Sequence, residues 1–152
     1  MPHPESERLR RAVGRCTLRL VRWSGVVYRS ASPRYANSND LLAGIGSMRT
    51  GARWNPPKSF LTVYTSLDPH TALDEVLAHY RHYGIPIETA MPRVTVAVRI
   101  EINAVLDLTD AAIRSVLNVS KRRILTEPWR AEQTAGREAL TQALGRLAHE
   151  FG

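Results

Sequence analysis

Residues 50–57 read TGARWNPP, which sets Arg53, Trp54 and Asn55 between a glycine and two prolines. Pro56 and Pro57 fix φ and offer no backbone donor, so the stretch suits neither a helix interior nor a central strand. A guanidinium held in such a turn presents a planar fork of donors that matches phosphate or carboxylate. A second arginine, Arg29, closes the strand-like VVYR. Tyr64 lies in FLTVYTS (60–66), and Glu75 in DPHTALDEVLAHYRHYG (68–84). In that last segment Leu73, Val76, Leu77 and Tyr80 follow the i, i+3, i+4, i+7 spacing of a buried helical stripe. Glu75 stands off the stripe, and periodicity alone leaves it a surface glutamate. Arg29 and Arg53, taken singly, read equally well as surface charges.

Several chemistries are excluded by what is missing. GIGSMRTG (44–51) has two glycines, but Arg49 stands where a dinucleotide-binding turn needs its third. The phosphate-binding lysine motif and the G-x-S-x-G nucleophile elbow are both missing. His79 and His82 are three apart with Glu75 one turn before, yet no third strong ligand follows, and no metal is expected. Lys121, Arg122 and Arg123 form the one dense basic run, which reads as a solvated face.

The elements that must position these residues are of mixed type. CTLRLVRWSGVVYR (16–29) alternates well enough for two short strands broken at Ser24 and Gly25. Residues 30–59 gather Gly, Pro, Asn and Ser and read as a long functional loop. FLTVYTS reads as a strand by β-branched and aromatic content. Asp68 and Pro69 open the next helix, and Gly84 closes it. VTVAVRI and NAVLDL (94–108) read as two more strands, and Thr109 as the cap of a short helix, DAAIRSVL. A final helix is expected over about residues 128–150, with Ala139, Leu140, Ala143, Leu144 and Leu147 on one face. The fold class is therefore α+β.

The totals are those of an ordinary globular chain, 152 residues with 43% hydrophobic and 23% charged, enough for one core. The formal net charge of +7 comes almost entirely from arginine, since lysine occurs only at Lys58 and Lys121. Such a charge points to an anionic ligand or an acidic partner, although a genome rich in arginine codons would produce the same bulk value. Cys16 is the single cysteine, which fits a reducing compartment. No apolar run is long enough for a membrane span, and MPHPESERLRR is unlike a secretory signal, so a cytoplasmic location is expected. Residues 1–15 read as a flexible leader, and 16–152 as the folded domain.

VYRSASPRYA, then GSMRTGARWNPP, then VYTSLDPHTALDEVLAH, in this order and spacing, resemble the RES domain, the toxin of RES–Xre toxin–antitoxin systems. WRAEQTAG (129–136) resembles the family's Trp-x3-Gln region, and the likeness covers about residues 26–150. The resemblance implies a compact single domain whose central sheet, flanked by helices, is similar to ADP-ribosyltransferase folds. It implies NAD as substrate, with ADP-ribose passing to water, phosphate or a protein target, and a cognate Xre-type antitoxin that carries any DNA contact. Arg29 and Arg53 match the family's two arginines, Tyr64 its strand tyrosine and Glu75 its acidic residue. Arg29, Arg53, Tyr64 and Tyr35 are then expected to bind NAD, and Glu75 and Arg53 to serve catalysis. Family members usually continue into a further strand bearing a serine; this chain stops at RLAHEFG, so no serine is carried over.

Under that resemblance the residue types suit the chemistry. Cleaving nicotinamide from ribose develops an oxocarbenium-like cation, which a carboxylate such as Glu75 stabilises. Forked guanidiniums suit a pyrophosphate, and a tyrosine ring suits stacking on nicotinamide. Trp54 is expected to anchor the loop by packing, and Asn55 to hold its turn. The alternative is a non-enzymatic basic module that grips nucleic acid or an acidic protein, with Glu75 remote from the arginines.

Overall fold

The computed structural model describes residues 1–152. They group into two compact units: Met1–Trp23, Ile45–Thr62 and Ile102–Gly152 form the first, and Ser24–Gly44 with Val63–Glu101 the second. The fold class is α+β, as the sequence indicates. No helix is long and apolar enough to cross a membrane.

The first unit is built around helix α1 (Ser6–Cys16), α5 (Ala111–Leu117), α6 (Lys121–Thr126), α7 (Trp129–Thr134) and α8 (Leu140–Phe151). Leu9, Ala12, Val13 and Cys16 recur at helical spacing along α1, and all are buried. They meet Ile113 and Leu117 of α5, Ile124 of α6, and Leu140, Ala143, Leu144 and Leu147 of α8 in one apolar cluster. Most of the expected leader is thus core helix. Its buried stripe is masked in the sequence by the arginines that cover its other face. Of the two strands expected over 16–29, a short 3-10 turn, Thr17–Arg19, takes the start, and one strand from Val21 runs on through Ser24 and Gly25 without the expected break.

The long final helix expected over 128–150 is two helices, α7 and α8, with a break between them. Gly136 sits at φ +70°, in the left-handed region that ends a helix, and α8 restarts only at Leu140. Its N-terminus is capped from a distance: the Glu127 carboxylate accepts from Leu140 N at 2.5 Å, Thr141 N at 2.8 Å and Thr141 Oγ1 at 2.9 Å. Those amides have no intrahelical acceptor, and an anion there also complements the helix dipole. Asp110, rather than Thr109, caps α5, its Oδ1 accepting from Ala112 N at 2.8 Å. Inside the region read as loop, helix α3 (Ile45–Thr50) lies in this unit.

The second unit holds helix α4 (Pro69–His82), a short helix α2 (Ser38–Leu41) and 3-10 turns at Pro33–Tyr35 and Ile87–Ala90. Asp68 caps α4 by accepting from Thr71 N at 2.7 Å, and Gly84 at φ +64° follows its end. Leu73, Val76, Leu77 and Tyr80 are half-buried, and Glu75 is exposed. Two strands, β1 (Val21–Ala31) and β2 (Val94–Val105), pair as an antiparallel sheet. VTVAVRI and NAVLDL therefore belong to one continuous strand that ends at Val105. FLTVYTS is not a strand: only Ser66 pairs, in an isolated antiparallel bridge to Tyr28. Its composition favours a strand, but the rest of the segment has no ladder partner, and composition cannot replace one.

Candidate active site

In the second unit one short segment, Tyr64 to Ser66, gathers what the sequence scatters. Arg29 Nη1 donates to the Tyr64 carbonyl at 3.0 Å. One residue back on β1, Tyr28 N donates to Ser66 O at 2.8 Å, and Ser66 N returns a bond to Tyr28 O at 2.9 Å. The Ser66 hydroxyl then donates to Glu75 Oε2 at 3.4 Å. A guanidinium and a carboxylate are thus fastened to the two ends of a three-residue stretch. The cap at Asp68 sets the register of α4 that turns Glu75 toward Ser66. Arg29 is half-buried, and burial, followed by the like charge of Arg93, lowers its pKa from the ordinary arginine value. Tyr35 sits apart on the 3-10 turn, 47% exposed, with the Arg34 guanidinium 4.4 Å from its ring centroid. No hydrogen bond joins it to Arg29 or Glu75.

In the first unit the TGARWNPP turn is a tightly fastened loop. Ala52 and Asn55 exchange backbone bonds, N to O, at 2.9 and 3.4 Å. Asn55 is fully buried, and its Nδ2 donates to Ser47 O at 2.8 Å and Pro56 O at 3.4 Å. Arg53 Nη2 donates to the carbonyls of Ile124 at 2.5 Å and Leu125 at 3.0 Å, in the last turn of α6. Those carbonyls lack helical donors, so Arg53 closes the helix end, where a cation also complements the dipole. Trp54 is half-buried and packs against the apolar cluster. Its carbonyl runs so close to α8 that a Cβ on Gly145 would lie 1.8 Å from Trp54 O. Two glutamines complete the fastening. Gln142, 1% exposed, donates to Ala52 O at 3.0 Å and to Gln133 Oε1 at 2.8 Å, while Gln133 Nε2 reaches Thr50 O at 3.0 Å.

The structure therefore joins Arg29, the Tyr64 backbone and Glu75 in the second unit, and places Arg53, Trp54 and Asn55 in the first. No group of three His, Cys, Asp or Glu side chains is placed to hold a metal ion.

The profile of the RES domain family matches residues 8–152. This chain belongs to the RES domain family. The match begins within α1, the helix that composition disguises. The RES domain described here is 27% identical over 121 residues to the NAD(+) phosphorylase MbcT of Mycobacterium bovis, and equally to that of Mycobacterium tuberculosis. That alignment takes in 78% of this chain but 63% of each relative, so the chain spans less than two thirds of their length. Among solved structures it resembles a chain in the crystal structure of the M. tuberculosis MbcT–MbcA toxin–antitoxin complex, with a TM-score of 0.69 at 24% identity. That likeness covers 95% of this chain and 72% of the other, and it supports the RES fold.

Within this RES domain, four polar residues were given no role by the sequence: Ser66 and Arg93 in the second unit, Gln133 and Gln142 in the first. Gln142 and Arg93 carry no motif, Ser66 lies within VYTSLDPHTALDEVLAH without a role of its own, and Gln133 belongs to the Trp-x3-Gln region. Ser66 orients the carboxylate, the two glutamines hold the arginine turn, and Arg93 lies in the field of Arg29. Gln142 lies off the Leu140, Ala143, Leu144 and Leu147 stripe, so its burial, which demands partners for the amide, leaves no signal in the sequence.

Proposed function

We propose that this RES domain is an NAD-consuming enzyme, the toxin of a toxin–antitoxin pair that acts in the cytoplasm under the restraint of a cognate antitoxin. The observation that carries the reading is the Tyr64–Ser66 segment, which fastens a carboxylate and a half-buried guanidinium to the same short stretch. The relatives named NAD(+) phosphorylase MbcT, and the likeness to a chain of a toxin–antitoxin complex, support substrate class and partner.

In the proposed reaction the bond from the ribose C1 carbon to the nicotinamide nitrogen breaks, and both its electrons return to the ring. Nicotinamide leaves neutral, so no general acid is needed. Positive charge develops on the ribose, and Glu75, steadied by Ser66, stabilises it. Arg29 binds the pyrophosphate through donors that the Tyr64 carbonyl does not occupy. In the first unit, Arg53 Nη2 is committed to closing α6. Tyr64 and Tyr35 offer rings for stacking on the base. An acceptor oxygen then bonds to C1: with hydrogen phosphate the product is ADP-ribose 1-phosphate, and with water it is ADP-ribose and a proton. The names of the relatives favour phosphate over water or a protein side chain.

The test follows nicotinamide release from NAD by the purified chain, with and without inorganic phosphate, beside Glu75→Ala and Arg29→Ala. Release that falls by orders of magnitude in both variants is expected. Wild-type release that survives Glu75→Ala unchanged would refute the assignment of the carboxylate.

A further inference from the structure

Arg93, immediately before β2, is absorbed by none of the motifs above, yet its placement is specific. Its Nη2 donates to Ser30 O at 2.8 Å and its Nε to Ser30 Oγ at 3.3 Å. Ser30 is 8% exposed and follows Arg29 directly on β1. The two guanidiniums are thus steadied in the same way, each by a backbone carbonyl, one at Tyr64 and the other at Ser30. Neither forms an ion pair with a carboxylate, although fourteen acidic residues are available in the chain. Both are half-buried, and each lies within the electrostatic reach of the other. Keeping two like charges together at partial burial opposes folding unless something negative occupies the site. Arg29 retains Nε and Nη2 for a ligand, and Arg93 retains Nη1. Fixed guanidinium donors that no carboxylate pairs with suit a doubly charged, multi-oxygen anion.

We propose that Arg93 joins Arg29 in a seat for a phosphate group, either the pyrophosphate of NAD or free inorganic phosphate taken as acceptor. The seat rests on the NAD-cleaving reading for its role, but its occupancy can be measured without turnover. Titratable groups tied to the same residues are Tyr28 on β1, Tyr64 on the segment that Arg29 bonds, and Glu75 of α4 through Ser66.

The experiment uses the full chain and the variants Arg93→Gln and Arg93→Lys. Thermal shift and calorimetric titration with sodium pyrophosphate and with sodium phosphate, against acetate at equal ionic strength, read binding directly. The Michaelis constants for NAD and for phosphate read it in turnover. Loss of one charge-assisted contact predicts about tenfold to hundredfold weaker binding in Arg93→Gln. Arg93→Lys, which keeps a charge without the fork, falls between that variant and the wild type.

If only the phosphate constant rises, the seat takes the acceptor; if only the NAD constant rises, it takes the pyrophosphate. Phosphate and pyrophosphate affinities unchanged in Arg93→Gln overturn the seat, and a lowered melting temperature alongside them reduces Arg93 to a tie between β2 and Ser30. Absence of wild-type binding to either anion overturns it as well, even if Arg93→Gln fails to fold. Should nicotinamide never be released while the anions still bind through Arg93, the seat stands and the enzymatic reading falls.

Discussion

Gly145→Ala separates the geometry of the arginine turn from ordinary helix propensity. Alanine is the better helix former, by about 1 kcal/mol in an exposed interior, so propensity alone predicts stabilisation. The structure predicts the reverse. An added Cβ would lie 1.8 Å from Trp54 O and 2.8 Å from Trp54 C, and both are backbone atoms that no rotamer change removes. To reach even a tight contact of 3.0 Å the carbonyl must retreat by more than an ångström. Overpacking of this kind costs roughly 1–3 kcal/mol, and an immovable obstacle places this site at the top of that range. Allowing for propensity, a net loss of about 2 kcal/mol remains, which lowers Tm by about 4–8 °C for a chain of this size. Gly46→Ala is the matched control. Gly46 lies in α3, a Cβ there meets nothing within 4 Å, and the same exchange should raise Tm by a few degrees. Calorimetric melting of both variants decides the matter. Equal Tm changes for the two would refute the close approach of Trp54 to α8.

Removing the Ser66 hydroxyl in Ser66→Ala leaves Glu75 chemically intact but unsteadied. A hydrogen bond of about 0.5–1.5 kcal/mol predicts a two- to tenfold loss in nicotinamide release, far milder than Glu75→Ala; an equal loss in both would contradict a positioning role. Asn55→Ala removes one donor from the Ser47 carbonyl, which still accepts from Gly51 N at 2.8 Å, and denaturant unfolding should report a loss of about 0.5–1.5 kcal/mol. Glu5, bridged to Arg123 and Arg8, is held near a pKa of about 2, below its ordinary 4.5. The stability it contributes is therefore present above the ordinary value and lost as pH falls through about 2. A pH series of Tm should show this acid loss in the wild type and a shallower one in Glu5→Gln.

How much of this was legible in the sequence depended on whether the deciding interaction was local. Helix α4 was readable because its cap, its first-turn proline and its closing glycine all lie in the segment itself. FLTVYTS was misread because a strand is made by its partner, and only Ser66 finds one. The final helix was drawn too long because its cap, Glu127, stands thirteen residues from Leu140, beyond any local pattern. Helix α1 carried a full apolar stripe from Leu9 to Cys16, but Ser, Glu and Arg dominated its composition and the stripe was passed over. Among the site residues, Arg29, Arg53, Tyr64 and Glu75 were found through motif resemblance. Arg93 and Ser66 owe their placement to pairings across the fold that leave no trace at their own positions.

The junction between α6 and α8 has a consequence for local dynamics. Residues 124–127 hold the Arg53 guanidinium with two carbonyls and cap α8 with the Glu127 carboxylate, while α8 returns Gln142 to Ala52 O. The arginine turn is therefore one side of a closed circuit of hydrogen bonds with no edge from which to fray. Opening it requires α6 or α8 to leave the apolar cluster, which amounts to unfolding the first unit. In amide hydrogen exchange the Ala52 N–H, bonded to Asn55 O at 2.9 Å, should thus exchange as slowly as the core amides of α8, despite sitting in a loop.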